Sequence, residues 1–246
     1  RLASAARQGL LPTTTRFDEV RSAGYVLIDS IAENTRCEER PMLNMAEQED
    51  DLLKNLSERS IEHSLLKSRK IFLWSPVHDD SAKAIVTRLL SLDAQDPEAE
   101  IVLYINSPGG SVSDGLAIYD AMQAISAPVS TVCTGLAASM GAVLLAGGHE
   151  GRRFTWPHAR IMIHQPLIMG TITGRATDLD IHAREMLRTR EEINRLLSIH
   201  TGQEVDKIAK DTDRDFYMSP DEAKEYGLID DVLTTSAVPA ANGKSR

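Results

Sequence analysis

The run Ile101-Val-Leu-Tyr-Ile105 does most to limit what this chain can fold into. Five apolar residues without alternation suit a strand covered on both faces. Such a strand needs helices to cover it, and the flanking segments supply them. Asp79 to Leu92 places Ala82, Ile85, Val86, Leu89 and Leu90 on one helical face. Gly115 to Ile125 reads as a second helix and Ala138 to Ala146 as a third, built from small residues. Further strands are expected at Lys70–Trp74, Val129–Cys133, Arg160–Ile163 and Leu228–Leu233. Asp178 to His200 makes a long helix, with Thr177 as N-cap, acids in the first turn and Gly202 just past the end. Ser219-Pro-Asp-Glu opens a short helix, with serine as cap and proline at the first position. Strand and helix alternate along the chain, which predicts an α/β fold around a largely parallel sheet.

Aromatic residues make up only 4% of the chain, so the core must come from Leu, Ile, Val, Ala and Met. With 42% hydrophobic and 26% charged residues, the composition suits one large domain. The net charge of −9 argues against nucleic acid as the main ligand. Local basic clusters such as Lys67–Lys70 read as solvated surface. No stretch reaches the roughly 18 apolar residues that a membrane span needs. Cys133 reads as a small buried hydrophobe, and Cys37 lies in a polar segment, so no disulfide framework is expected. Residues 1–45 lack sustained periodicity and are expected to be a mobile extension. They hold too many acids for a typical transit peptide and lack the apolar core of a secretory signal. Met42 or Met45 is an alternative start. The domain is expected over 46–236, followed by a loose tail over 237–246.

Two segments carry possible chemistry. Asn106-Ser-Pro-Gly-Gly-Ser111 links a strand to a helix, and its paired glycines let backbone amides approach a ligand. It lacks the third glycine of a dinucleotide fingerprint. Gly135-Leu-Ala-Ala-Ser-Met-Gly-Ala142 places Ser139 at a helix start, where free amides and the dipole favour an oxyanion. The esterase elbow wants glycine two residues before the serine, and Ala137 stands there. By itself Ser139 reads more readily as a cap than as a nucleophile. His63, His78, His149, His182 and His200 sit in polar surroundings and are expected to face water, as is His158. His164 differs, because it ends an apolar strand where a catalytic base is often placed. Asp211, Asp213 and Asp215 all offer a carboxylate to orient it, and periodicity does not choose among them.

In combination these segments resemble the proteolytic subunit of the ATP-dependent Clp protease. The matching stretches are Tyr104–Ser111, Gly135–Ala142, Arg160–Pro166, Ile181–Leu187, His200–Gln203 and Asp211–Ser219, in order over about two-thirds of the chain. The resemblance implies a crotonase-like fold of stacked β-β-α units with a protruding strand–helix handle, here about 166–200. It implies a serine endopeptidase with nucleophile Ser139, base His164 and acid Asp215. The oxyanion-hole amides fall on Gly110 and Met140. Val112 and Leu167 fall on the two edges that flank an extended substrate, and Asp213 and Arg214 on a contact between rings. The stretch Leu167–Gly174 is two residues longer than the family's usual glycine-rich turn.

The resemblance also implies heptameric rings stacked as a tetradecamer, enclosing a chamber where unfolded polypeptides are cut. A hexameric Clp ATPase would feed that chamber and use the ATP, so the subunit needs no metal and no cofactor. Nucleic acid and membrane are not implied as partners. The expected location is the cytoplasm, with a plastid stroma as the alternative. Three other readings compete: a non-catalytic paralogue, a crotonase-fold acyl-CoA enzyme and a purely structural assembly subunit. The presence of all three triad residues, and the segments around Ser139 and His164, disfavour them.

Overall fold

The computed structural model describes residues 57–167, 170 and 173–234. The chain divides into two compact units, Arg1–Ile61 and Glu62–Arg246. Of the first, only residues 57–61 are described, and they are helical. The expected extension (1–45) and tail (237–246) lie outside the described residues. All that follows concerns the second unit.

Seven strands form one sheet: β1 (Lys70–Leu73), β2 (Ile101–Ser107), β3 (Val129–Ala138), β4 (Arg153–Thr155), β5 (Arg160–Ile163), β6 (Phe216–Met218) and β7 (Asp231–Val232). After helical residues up to 67, the helices are α1 (Asp79–Gln95), α2 (Val112–Ala124), α3 (Met140–Ala146), α4 (Ala176–Thr201), α5 (Val205–Asp211) and α6 (Pro220–Tyr226). The order β1-β2-β3-β4-β7 is parallel throughout, as the alternation predicts. β3 is long enough to serve two neighbours on one edge. Its Thr131–Cys133 portion pairs with β4, and its Leu136–Ala138 portion pairs with β5. β6 then runs antiparallel to β5.

The core is aliphatic, as the scarcity of aromatics requires. Ile71, Leu73, Ile85, Leu89, Leu92, Leu103, Ile105, Ile118, Leu144 and Leu145 are fully buried between sheet and helices. Cys133 is buried and free, and burial pushes its thiol pKa up to about 11. The expectation that β2 is covered on both faces needs correction. Its burial alternates, so Val102, Tyr104 and Asn106 are only half-buried. On that outer face Phe72 stacks on Tyr104 at 5.0 Å, and Trp74 is exposed beside them.

Most element boundaries shift by a few residues, for identifiable reasons. α2 begins at Val112 because the Ser111 hydroxyl caps it, accepting from the Asp114 amide. α3 begins at Met140 because Ala137 and Ala138 stay in the ladder with β5. Arg175, not Thr177, is the N-cap of α4, and its side chain makes no capping bond. Gly202 ends α4 in a left-handed conformation and Ser219 caps α6 with a full capping box, both as predicted. β4, α5 and β6 were not foreseen, being too short for their periodicity to show.

His200 is a further correction, since it does not simply face water. It is half-buried at the end of α4, with Nε2 2.7 Å from the Tyr119 hydroxyl. Burial, and after it the nearby charge of Arg153, holds its pKa below the ordinary histidine value. Arg153 is the centre of this region. Its buried guanidinium donates to both Asp230 carboxylate oxygens and to the carbonyls of His200 and Gly227. It thereby ties β4 to the end of α4 and to the turn after α6. Burial raises the Asp230 pKa, but the Arg153 hydrogen bonds outweigh that and hold it below its usual value.

Both shifts make acid destabilising. His200, depressed when folded, takes up its proton more readily in the unfolded chain. Its contribution therefore falls as pH drops below about 6.5 and levels off below the folded pKa. Asp230 contributes stability above about pH 3.9, lost as pH falls through its depressed folded value. Chemical denaturation should thus give a lower midpoint at about pH 5.5 than at about pH 7.5, with His200→Gln shrinking the difference. Arg153→Met leaves the Asp230 charge unpaired and should cost about 3–5 kcal/mol at neutral pH. An unchanged midpoint for that variant would show that the hub contributes nothing.

Candidate active site

The site forms where β3 and β5 leave the sheet side by side. Ala138 ends β3 opposite Met162 of β5, and the Ser139 amide donates to the Met162 carbonyl at 2.8 Å. The chain then reverses sharply into α3. Ser139 makes that reversal at φ 55° and ψ −122°, a strained conformation for a residue with a side chain. Ser139 occupies the N-cap position, yet its side chain makes no capping hydrogen bond. The helix start is satisfied through its carbonyl instead, which accepts from Ala142 and Val143. The hydroxyl is therefore not engaged as a cap, the use that the sequence alone favoured for it.

One residue past β5 stands His164. β5 and β6 pair Ile161 with Met218, Met162 with Tyr217 and Ile163 with Phe216. Continuing that ladder by one step sets His164 across from Asp215. Register thus separates the three carboxylates that periodicity left equivalent. His164 Nδ1 lies 2.9 Å from Asp215 Oδ1. A carboxylate only accepts, so Nδ1 carries the proton and Nε2 keeps its lone pair in the neutral ring. Ser139 and His164 line one small cleft, with Val112, Met140, Val143, Ile163, Pro166, Ile193 and Leu197 making the rest of its wall.

Asp215 is 58% exposed, so burial does not hold it in place. Backbone anchors on either side do. Downstream is the β6 ladder. Upstream, the Gln165 amide donates to the Thr212 carbonyl at 2.6 Å, and the Gln165 side chain donates to the Asp213 carbonyl at 2.9 Å. Buried Thr212 in turn bonds Asn194 of α4. The sequence reading missed Gln165, Thr212 and Asn194. Asn194 alone left a signal, a polar residue at a position that helical spacing assigns to the buried face of α4; Gln165 in its loop and Thr212 past α5 left none.

The glycine loop reaches the same place from the other side. The Val77 amide donates to the Gly109 carbonyl and the Ser111 amide to the Val77 carbonyl, so residues 109–111 form a short parallel bridge with Val77. Gly109 (φ 85°) and Gly110 (φ 150°) are both positive. A methyl on Gly109 would sit 2.6 Å from Ser139 Cβ, and one on Gly110 would sit 2.2 Å from the Val77 carbonyl oxygen. Bare backbone lets Gly109 lie against Ser139 and Gly110 against Val77. The same added methyl on Gly109 would be 3.0 Å from the Met140 amide nitrogen. Gly109 therefore lies beside both Ser139 and the Met140 amide. Met140 is the first residue of α3, whose amide has no partner inside the helix.

The remaining expected positions are less concentrated. Val112 lines the Ser139 cleft. Leu167 is exposed in a second recess, shared by His164, Gln165 and Asp213–Asp215. Half of the Leu167–Gly174 stretch, at 168–169 and 171–172, lies outside the described residues. Asp213 and Arg214 are exposed neighbours 3.8 Å apart, a pair worth under about 1 kcal/mol by itself. Among the described residues, His78, Asp79 and Asp80 are close enough together to share an ion. That group is exposed and already serves as cap and acidic first turn of α1. No helix is long and apolar enough to cross a membrane among the described residues.

A serine on a strained turn, an imidazole paired to a carboxylate in the same cleft and a glycine loop lying against the serine make an arrangement suited to acyl transfer. The family model for Clp protease matches residues 54–236, well over half of the chain and all of the site just described. The chain belongs to the Clp protease family and is a peptidase of that type.

Proposed function

We propose that the chain is a serine endopeptidase whose nucleophile is Ser139, with His164 as base and Asp215 as the group that orients the base. The observation that carries this is Ser139 itself: a strained residue at a helix start, with a hydroxyl not spent on capping, sharing a cleft with a histidine already paired to a carboxylate. In this reading Ser139 Oγ attacks the scissile carbonyl while its proton passes to His164 Nε2. The Gly110 and Met140 amides receive the oxyanion, where loss of one donor typically costs about 10²–10³ in rate. His164 then protonates the leaving amine, and water hydrolyses the acyl-enzyme by the same route in reverse.

Substrate would lie extended between the backbone at Val112 and that at Leu167, as an added strand. Main-chain pairing of that kind tolerates many sequences, which suits unfolded polypeptides as substrates. The Clp family points to the rest. Subunits would assemble as two heptameric rings with a handle formed over about 166–200 in a crotonase-like fold. Asp213 and Arg214 would link the rings near the triad, and a hexameric Clp ATPase would supply unfolded chains. The exposed first half of α4, with Leu179, Ile181 and Leu187 open to solvent, suits such a handle. The proposed location is the cytoplasm.

A fluorophosphonate should modify Ser139 alone in the assembled protein, and Ser139→Ala should abolish both labelling and peptide hydrolysis. Equal hydrolysis by Ser139→Ala would end this reading. Asp215→Asn favours the wrong His164 tautomer and should lower kcat by about 10³–10⁴ while leaving assembly intact. Light scattering should report a particle far above the 27.0 kDa subunit, and a strict monomer under native conditions would refute the ring.

A further inference from the structure

Ser107 is one of the few fully buried polar side chains, at 1% exposure, and it stands at the root of the glycine loop. Its hydroxyl donates to the Ser75 carbonyl at 2.7 Å and accepts from the Gly109 amide at 3.2 Å. One hydroxyl thus joins the end of β2, the segment before α1 and the loop beside Ser139. The bond to the Gly109 amide is buried and the one to Ser75 partly so, and a buried bond counts for more than a surface bond would.

The Gly109–Gly110 peptide hangs from this point. Its carbonyl is fixed by the Val77 amide at 2.8 Å, so its N–H, anti to the carbonyl in a trans peptide, points away from Val77. Gly109 carries no side chain and has a positive φ, so nothing intrinsic to the residue sets the angle of that peptide plane. Two hydrogen bonds bracket Gly109: its carbonyl to Val77, and its amide to Ser107. Remove the second and only Val77 holds the loop, through the Gly109 carbonyl and the Ser111 amide. The Ser107 carbonyl oxygen also lies 3.2 Å from where a Gly141 side chain would begin, so the root of the loop packs closely against the first turn of α3.

We propose that Ser107 is a positioning residue for the oxyanion site, fixing the orientation of the Gly110 N–H through the Gly109 amide. It touches neither substrate nor Ser139, and the inference rests on the serine-peptidase reading above. An amide aimed at the oxyanion contributes only if it is oriented before the reaction. Loss of the Ser107 hydroxyl should therefore weaken the transition state more than substrate binding.

The test uses the full assembled chain and a fluorogenic peptide. Ser107→Ala should lower kcat about 10- to 100-fold, with KM within about twofold of the parent. A peptide boronate, whose adduct places an oxygen in the oxyanion site, should lose affinity by a similar factor. Ser107→Cys keeps an atom at the hydroxyl position, somewhat larger than oxygen, that hydrogen-bonds only weakly. It should therefore behave like Ser107→Ala, and it decides the matter even if the alanine variant does not assemble. Parental kcat in Ser107→Cys would overturn the proposal. So would a fall in kcat matched by a rise in KM and a lower thermal midpoint, which is the signature of a merely structural role. Ser139→Ala separates the two claims. If it remains active, the serine reading fails; if it is inactive while both Ser107 variants match the parent, only the role of Ser107 fails.

Discussion

The division of β3 between two neighbours is the constraint on which the site depends. A ten-residue strand that pairs with β4 in its first half and β5 in its second delivers two chain ends to one spot. Ser139 leaves β3 and His164 leaves β5 on adjacent, parallel tracks, so their separation is fixed by strand spacing and not by loop chance. Ligand sites in open α/β sheets fall outside the carboxyl ends of strands for this reason. Here the glycine loop at the end of β2 completes the row, so three neighbouring parallel strands each contribute one part.

Much of this was legible in the chain, and the limits are physical. Continuous apolar runs and helical spacing gave the α/β class because burial leaves a periodic trace. Ser139 and His164 could be singled out because each stands where an apolar element ends. Asp215 could not be chosen from residue type, since Asp211, Asp213 and Asp215 look alike until an antiparallel register selects one of them. Only the resemblance to the Clp family pointed to it. The β5–β6 pairing agrees with that choice, but β6 is three residues long and leaves no readable pattern. Ser107 was quoted as part of a turn and given no role. A buried serine and an exposed serine are identical in sequence, and only the fold says which one has lost its water.

Two of the corrections lie on α4. Thr177 is a better cap than Arg175 by intrinsic preference, yet the helix starts before it; His200 lies among polar neighbours, yet tertiary contacts half-bury it. His200 is drawn against Tyr119 and Arg153 because the end of α4 is tied to β4. The outer face of β2 errs in the opposite sense. Its continuous apolar run led to an expectation of full cover, and the described residues leave Tyr104 stacked on Phe72 at a half-open surface.

The members of the proposed triad are not equally rooted. Ser139 follows the long β3, which has strand neighbours on both sides. Asp215 precedes a three-residue strand whose one strand partner among the described residues is β5. Local opening costs least where few backbone bonds must break. Fraying of β6 would disconnect the carboxylate while nucleophile and glycine loop stayed in place. Between the working molecule and the unfolded one there is therefore room for a dormant form, still folded and only a few hydrogen bonds away.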